Sequence, residues 1–278
     1  MTTRDRGPLS RVKTPGPALY AYTAAPDGQP IAVVGLVHGY GEYGGRYARV
    51  MDAWAERGIA SVAIDLRGHG RAEGTRGYCE RFDEFLDDVR ELEHVTLEKR
   101  LPAFLFGHSL GGLIAASSVL ARPAPWRALA LSAPFMGLAM KVPPLKLVAG
   151  RIASRVWPTF AQPSGLRGAS VTHDTALARE YDADPLVFHI ATARFFTESQ
   201  AAQARAFERA ALLVMPTYVV MGTADRISKY ERARAFFDAL GARDKTWDAR
   251  EGLFHEVLSE PEWRSAADAI ADWVLRHV

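Results

Sequence analysis

The sequence has 278 residues, of which 48% are hydrophobic and 24% charged, so the chain is long and apolar enough to build a large buried core rather than remain disordered. A formal net charge of +2 and a single cysteine, Cys79, argue against a nucleic-acid-binding protein and against a disulfide-stapled fold. No apolar run reaches the roughly 20 residues of a membrane-spanning helix, and residues 1–16 lack the apolar segment of a secretory signal, so we expect a cytoplasmic protein.

Short apolar segments alternate with helical patterns along most of the chain. The segments predicted to be strands are residues 31–37, 59–65, 102–106, 127–132 and 215–221. They are almost continuously apolar, which is typical of parallel strands that are covered on both faces. Stripes of apolar residues three and four positions apart predict helices at residues 82–92, 233–240 and 263–270. This alternation predicts an α/β fold with a mostly parallel, doubly wound sheet.

One region interrupts the alternation. Residues 135–197 contain no clear strand, and a helical stripe begins after Pro143 and Pro144. The simplest interpretation is an insertion of helices and loops over the C-terminal edge of the sheet, where open α/β proteins bind ligands. We therefore expect a core made of residues 1–134 and 198–278, with a cap of residues 135–197.

The strongest motif is Gly-His-Ser-Leu-Gly-Gly at residues 107–112. It follows a predicted strand and precedes an alanine-rich helical segment, residues 113–121. This is the context of the G-x-S-x-G nucleophile elbow, in which the serine occupies a sharp turn and small residues must flank it. The helix N-terminus also directs N–H groups at a developing oxyanion. We predict that Ser109 is a nucleophile; the alternative is a serine that only caps the helix.

A serine hydroxyl reacts only when a base accepts its proton. His255 lies in a loop after the strand-like residues 245–250, and Asp225 comes soon after residues 215–221. The order serine, aspartate, histidine, with each residue in a loop that follows a strand, is one of the known chain orders of catalytic triads. We predict the triad Ser109, Asp225 and His255. A turn role for the aspartate and a surface-loop role for the histidine are the alternatives.

Two backbone N–H groups are expected to form an oxyanion hole. One belongs to Leu110, the residue after the predicted nucleophile, and the other to Tyr40 in the loop formed by residues 38–42. His38 and His69 lie beside glycines. We expect them to shape these turns by hydrogen bonding rather than to act as further bases.

A dinucleotide-binding pattern competes with this interpretation. Gly39, Gly41 and Gly44 follow a predicted strand, and Asp65 ends the next one. Glu42, however, would place a carboxylate against the pyrophosphate, where like charges repel, and the pattern leaves the predicted triad unexplained. We therefore predict no cofactor. The sequence has no metal motif such as HExxH, so we also predict no metal.

Eight stretches, in chain order, carry a family resemblance. They are HGYGEYGGRY (residues 38–47), AIDLRGHGRAEGTRGY (63–78), FDEFLDDV (82–89), GHSLGG (107–112), LSAP (131–134), YDADPLV (181–187), VVMGTADRIS (219–228) and EGLFHEVLSE (251–260). Together they resemble the monoacylglycerol lipase and lysophospholipase branch of the α/β-hydrolases, which is grouped with serine aminopeptidases. The resemblance implies an eight-stranded core, a helical cap, hydrolysis of single-acyl glycerolipids, and the triad and oxyanion donors named above. Ala72 departs from the serine that usually follows the GHG turn.

The predicted cap has a distinctive composition. Residues 135–173 contain no acidic residue but several basic and many apolar ones. We expect part of this apolar surface to bind an acyl chain, and the rest, with basic residues such as Lys141, to contact an anionic lipid surface. The residues expected to bind the substrate are Leu145, Val148, Ile152 and Trp157. The alternative is that this stripe packs the cap onto the core.

These observations favour a serine ester hydrolase that cleaves single-acyl glycerolipids through an acyl-enzyme on Ser109. Its partner is a small-molecule acyl ester, with peripheral contact to lipid surfaces and no nucleic acid; the sequence does not define an oligomeric state. The alternatives are a broad short-chain carboxylesterase and a non-catalytic ligand-binding homologue. A peptidase is disfavoured, because no cluster of cap carboxylates is available to bind the free amine of a peptide.

Overall fold

The computed structural model describes the backbone of residues 4–9, together with residues 16–123, 125–140 and 143–278. Lys141, which we expected at a lipid-contacting surface, lies outside the described residues, as does most of the segment 1–16. The strands are β1 (Arg4–Leu9), β2 (Leu19–Ala24), β3 (Ala32–Val37), β4 (Ile59–Asp65), β5 (Ala103–His108), β6 (Ala128–Ser132), β7 (Ala161–Pro163), β8 (Ile190–Thr192), β9 (Thr217–Gly222) and β10 (Lys245–Arg250). The α-helices are α1 (Ala48–Ala55), α2 (Asp83–Leu97), α3 (Leu110–Ala121), α4 (Pro144–Val156), α5 (Gly168–Val171), α6 (Thr175–Ala183), α7 (Ala193–Arg209), α8 (Tyr230–Ala239) and α9 (Trp263–Leu275).

The main sheet contains eight strands in the order β1-β2-β4-β3-β5-β6-β9-β10. The strands from β4 to β10 in that order run parallel, whereas β2 pairs antiparallel with β4 and β1 pairs antiparallel with β2. Each predicted strand begins and ends within two residues of an observed one. The predicted fold, a mostly parallel sheet with helices on both faces, is confirmed.

Burial explains why the central strands are so uniformly apolar. Every residue of β3, β4 and β5 is buried. On one face the strands pack against α1 and α9, through residues such as Trp54 and Trp273. On the other face they pack against α2, α3, α7 and α8, through residues such as Phe85 and Ile114. A sheet that is covered twice has no solvent-facing positions in its middle strands, so these strands show no alternation of polar and apolar residues.

The segment between β6 and β9, residues 133–216, is called the insertion below. The prediction of no strand here is wrong, because β7 pairs antiparallel with β8 to form a small separate sheet. Strands of three residues are too short to show a recognisable alternation. The boundary predicted at residue 197 falls inside α7, which packs against both α4 in the insertion and α3 in the core. The proposed division into core and cap therefore stays a prediction.

The insertion contacts the loops at the C-terminal edge of the parallel strands. The backbone N–H of Phe188 donates to the carbonyl of Gly41, in the loop after β3, over 2.9 Å. The Tyr40 hydroxyl in the same loop donates to the carbonyl of Ile190 over 2.7 Å. The loops that contain the predicted site residues and the insertion therefore meet at one edge of the sheet. Of the described helices, none combines the length and the apolar character that crossing a membrane requires.

Candidate active site

Ser109 lies at a sharp turn between β5 and α3. Its backbone has φ 52° and ψ −117°, in the left-handed half of conformational space that non-glycine residues rarely adopt. Its N–H donates to the carbonyl of Ser132 over 2.9 Å, and its carbonyl accepts the N–H of Phe135 over 2.9 Å. A Cβ at Gly107 would lie 2.4 Å from the carbonyl oxygen of Gly111. The turn therefore needs glycine at this flanking position, as the motif predicts.

Three side chains from distant parts of the chain meet at this turn. The Nε2 atom of His255 lies 2.8 Å from Oγ of Ser109, and its Nδ1 atom lies 2.8 Å from Oδ2 of Asp225. The other carboxylate oxygen of Asp225 accepts the backbone N–H groups of Ile227 and Ser228, at 2.8 and 3.0 Å. The structure thus brings together the three residues that we predicted to be a triad. The turn role considered for Asp225 is also present, because one carboxylate performs both tasks.

The electrostatics of this group favour a base. Burial alone lowers the pKa of His255, but the charge and hydrogen bond of Asp225 outweigh it, and the result is a pKa above the ordinary value of 6.5. The carboxylate of Asp225 is completely buried, and the histidine ring is nearly so. An imidazole in this setting can accept a proton from the hydroxyl and remain stabilised as a cation.

The residues predicted as oxyanion donors, Tyr40 and Leu110, line the same cavity as Ser109. The loop with Tyr40 is held by Glu42, whose carboxylate accepts the N–H of Gly39 over 2.6 Å. Leu110 is the first residue of α3, so its N–H is one of the helix donors without an intrahelical partner. The assignment of these two N–H groups as oxyanion donors stays a prediction.

A buried charged cluster, not foreseen from the sequence, lies beside the histidine. Arg46 bonds Glu42 and also makes two hydrogen bonds of 2.9 Å to Glu256, the residue after His255. Burial raises the pKa of Glu42. Burial by itself would also raise the pKa of Glu256, but the attraction of Arg46 outweighs this effect and lowers the pKa to about 2. The cluster joins the loop after β3 to the loop of His255. Arg46 and Glu256 lie 210 residues apart in the sequence, so no local sequence pattern could reveal this cluster.

Other histidines near the site have structural roles. The Nε2 atom of His38 accepts the N–H of Leu66 over 3.0 Å, and burial lowers its pKa. Burial lowers the pKa of His69 to about 4 and that of His108 to about 3. These rings are neutral near pH 7 and fix the surrounding turns. Among the residues that the structure describes, no group of three or more His, Cys, Asp or Glu could hold a metal ion.

A largely apolar cavity of about 440 Å³ opens beside Ser109. It lies between the core and the insertion. The residues lining it are Tyr40, Ser109, Leu110, Phe135, Leu138, Met140, Lys146, Ala149, Gly150, Ala153, Phe160, Gln162, Pro163, Ser164, Leu166, Ala191, Thr192, Ala193, Phe195, Phe196, Ser199 and Ile227. The volume falls in the range of about 300–1,000 Å³ that is common for small-molecule sites.

The residues of α4 that line this cavity are not the predicted ones. The inner face of α4 carries Lys146, Ala149, Gly150 and Ala153. The predicted substrate-binding residues point outward instead, with exposures of 79% for Leu145, 51% for Val148, 57% for Ile152 and 61% for Trp157. That prediction is wrong because we assigned the apolar stripe to the ligand side. The helix turns its small residues toward the cavity, and these leave room for a ligand.

Comparisons with known proteins agree with this fold and site. The family described as "Serine aminopeptidase, S33" matches residues 28–262. The chain is 30% identical to a monoacylglycerol lipase of Mycolicibacterium smegmatis, with 91% of each chain covered. It is 29% identical to phospholipase YtpA of Bacillus subtilis, with 84% of this chain and 91% of that protein covered. The crystal structure of a Paleococcus ferrophilus monoacylglycerol lipase superposes with a TM-score of 0.85, at 29% identity, over 94% of this chain and 99% of that one.

The resemblance stated from the sequence motifs is confirmed by these matches. The family match covers most of the chain, from before β3 to the start of α9. The strand order and the solved lipase structure agree on an α/β-hydrolase fold. The chain therefore belongs to the serine aminopeptidase S33 family of α/β-hydrolases.

Proposed function

We propose that this protein is a serine hydrolase that cleaves single-acyl glycerolipids through an acyl-enzyme on Ser109. The observation that carries the proposal is the largely apolar cavity that opens directly on a serine bonded to a buried histidine–aspartate pair. An apolar cavity favours a long acyl chain through the burial of its methylene groups. The relatives named above are two monoacylglycerol lipases and a phospholipase.

In the proposed mechanism His255 acts first as a base and then as an acid in each half-reaction. Ser109 attacks the ester carbonyl while Nε2 of His255 accepts the hydroxyl proton, and Asp225 stabilises the imidazolium. The N–H groups of Tyr40 and Leu110 stabilise the tetrahedral oxyanion. His255 then protonates the leaving alcohol, and the acyl group remains on the serine. A water molecule, deprotonated by the same histidine, attacks this ester; His255 then returns the proton to Oγ of Ser109 as the bond to the acyl group breaks and the fatty acid leaves.

An ester fits this site better than a peptide. The family's description names an aminopeptidase, which must bind the free amine of its substrate, and a buried or cavity-facing carboxylate is the usual partner of an amine. The described residues that line the cavity include no carboxylate, and their one charged side chain is the cationic Lys146. A protonated amine would meet a like charge there.

The two rival functions make different demands on the site. A non-catalytic homologue has no need of the paired hydrogen bonds of 2.8 Å that align serine, histidine and aspartate. A short-chain carboxylesterase shares this triad but has no need of a cavity of about 440 Å³. The non-catalytic alternative therefore does not explain the aligned triad, and the short-chain carboxylesterase does not explain the size of the cavity.

The insertion serves in this proposal as a cap that also touches lipid. The outer face of α4 exposes large apolar side chains beside the basic residues Arg151 and Arg155. An amphipathic helix with exposed apolar residues and flanking cations is suited to the interface of an anionic membrane. We infer that this face contacts the lipid from which the substrate enters; a cytoplasmic location stays a prediction.

Replacing the proposed nucleophile should abolish turnover. We expect Ser109→Ala to lower kcat by roughly 10⁶-fold, the scale seen when a triad serine is removed, and to eliminate labelling by a fluorophosphonate. The control is Ser117→Ala on α3, which should keep both activity and labelling. Undiminished labelling of a pure Ser109→Ala preparation would contradict the assignment.

The pH profile should report the histidine–aspartate pair. The pKa of His255 lies above 6.5. Therefore kcat/KM should fall as the pH drops through this raised pKa, because the base becomes protonated. Asp225→Asn removes the charge that raises this pKa, so the acid limb should move to lower pH while kcat drops by about 10⁴-fold. Profiles of Asp225→Asn and of the exposed control Asp238→Asn test this. An acid limb that stays in place in Asp225→Asn rejects the pairing.

Acyl-chain length should separate a lipase from a short-chain esterase. We expect kcat/KM for p-nitrophenyl esters to rise with each added methylene, by up to about fourfold if a buried CH₂ contributes its usual ~0.8 kcal/mol, until the cavity is full. Long-chain monoacylglycerols and lysophospholipids should be hydrolysed, and aminoacyl p-nitroanilides should not. A maximum at acetyl or butyryl esters would favour the carboxylesterase.

Membrane contact can be tested on the outer face of α4. We expect Leu145→Asp combined with Trp157→Asp to reduce co-sedimentation with anionic vesicles by about 10-fold or more. Turnover of a soluble butyryl ester without vesicles checks that the variant is folded. The control is Leu212→Asp, at an exposed apolar residue outside α4. Equal vesicle binding by all three proteins, or none by the unmodified protein, would remove the docking surface from the proposal.

A further inference from the structure

Another buried carboxylate that the proposed mechanism does not use lies next to the histidine loop, apart from the cluster of Glu42 and Glu256. The side chain of Glu260 is completely buried. Its Oε1 atom accepts the backbone N–H of Phe254, the residue before His255, over 2.7 Å. Its Oε2 atom accepts the backbone N–H of His173 in the insertion over 2.9 Å. One carboxylate therefore joins the histidine loop to the insertion.

The His173 side chain completes this connection. Its Nδ1 atom lies 3.0 and 3.1 Å from the two carboxylate oxygens of Glu260. Its ring stacks on the ring of Phe254 with 3.6 Å between centroids. The guanidinium of Arg226, which follows Asp225 in sequence, lies 4.1 Å from the same phenyl centroid. Phe254 is thus fixed through both its backbone and its side chain.

The other neighbour of His255 is held from the same direction. The N–H of Glu256 donates to the carbonyl of Val171 over 2.8 Å. The hydroxyl of Thr172 donates to the carbonyl of Ser259 over 2.8 Å. Residues 171–173 of the insertion therefore contact the chain on both sides of the histidine, and they are not among the residues that line the cavity.

The position of the imidazole is the quantity that this arrangement controls. His255 makes a 2.8 Å hydrogen bond on each side of its ring, so a small shift of its backbone lengthens at least one of them. Misplacement by about 1 Å can reduce a rate by 10²-fold. A charged acceptor makes a stronger hydrogen bond to a backbone N–H than a neutral one does, and a buried carboxylate without such partners would be costly.

We propose that Glu260 and His173 are positioning residues for the base, and that residues 171–173 of the insertion set the place of His255 through them. The inference rests on the proposed function, since it concerns the base of that mechanism. Neither residue lines the cavity beside Ser109. Their effect is expected on the chemical step and not on substrate binding, which distinguishes positioning from a contribution to the cavity.

The test compares rates per active site in Glu260→Gln and His173→Phe. Glu260→Gln removes the charge and one of the two acceptors, and His173→Phe keeps the stacking while it removes the ring hydrogen bonds. The active-site concentration is measured with a fluorophosphonate, and kcat and KM are measured on p-nitrophenyl butyrate. We expect kcat per active site to fall about 10-fold or more in Glu260→Gln and severalfold in His173→Phe, with KM within twofold of the unmodified enzyme. The rate of fluorophosphonate inactivation should fall by the same factors.

Two exposed residues provide matched controls. Glu262→Gln makes the acid-to-amide change two residues along the chain from Glu260, and His94→Phe makes the histidine-to-phenylalanine change on α2. Both variants should leave kcat unchanged. A purely structural role predicts fewer titratable sites and a lower Tm but an unaltered kcat per remaining site, and that result overturns the proposal. If Glu260→Gln does not fold, His173→Phe decides alone, because its side chain is 45% exposed.

Failure of the proposed function gives a separate result. If the unmodified enzyme neither reacts with the fluorophosphonate nor hydrolyses the ester, the serine hydrolase assignment is wrong, and the positioning role is rejected with it. If the unmodified enzyme is active and both variants retain its kcat per active site, the function stands and only the positioning role is rejected.

Discussion

The backbone conformation of Ser109 is the constraint on which the remaining site depends. A φ of 52° at a non-glycine residue is unfavourable in isolation, and it is maintained here by hydrogen bonds to β6 and to the chain that follows it. Gly111 makes the turn feasible, because a Cβ there would lie 2.2 Å from the carbonyl oxygen of Val37. This close approach of α3 to β3 brings the nucleophile, the loop of Tyr40 and the helix N-terminus into one place.

Charge is balanced around the base in a way that suits transient protonation. Asp225 contacts one side of His255, and Glu256 and Glu42 lie nearby, while Arg46 neutralises part of that negative charge. Both glutamates raise the pKa of His255, with Asp225 the larger contributor among the carboxylates. A buried arginine with two carboxylates is costly to desolvate unless each group is hydrogen-bonded. Here all three are, and the same bonds tie the oxyanion loop to the base loop.

Chain order and local context are sufficient to predict the parallel strands of the sheet and the meeting of Ser109, Asp225 and His255. Each of these residues closely follows a recognisable strand, and parallel strands share one C-terminal edge. The face of α4 was assigned wrongly. Periodicity shows that a helix has two faces, but the choice between cavity and solvent depends on packing against α7, which the local sequence does not encode. Strand β2 was missed, since its burial does not alternate regularly.

The continuity of α7 limits how this protein can be recombined with its relatives. This one unbroken helix of the insertion contributes Phe195 and Ser199 to the cavity wall, and its C-terminal half packs against the core through residues such as Ala206. A chimera joined at residue 197 would therefore combine two sequences within one helix that packs against both α4 and α3. Grafts that exchange the whole stretch from the end of β6 to the start of β9 keep that helix intact, so this stretch is the natural unit for engineering acyl preference.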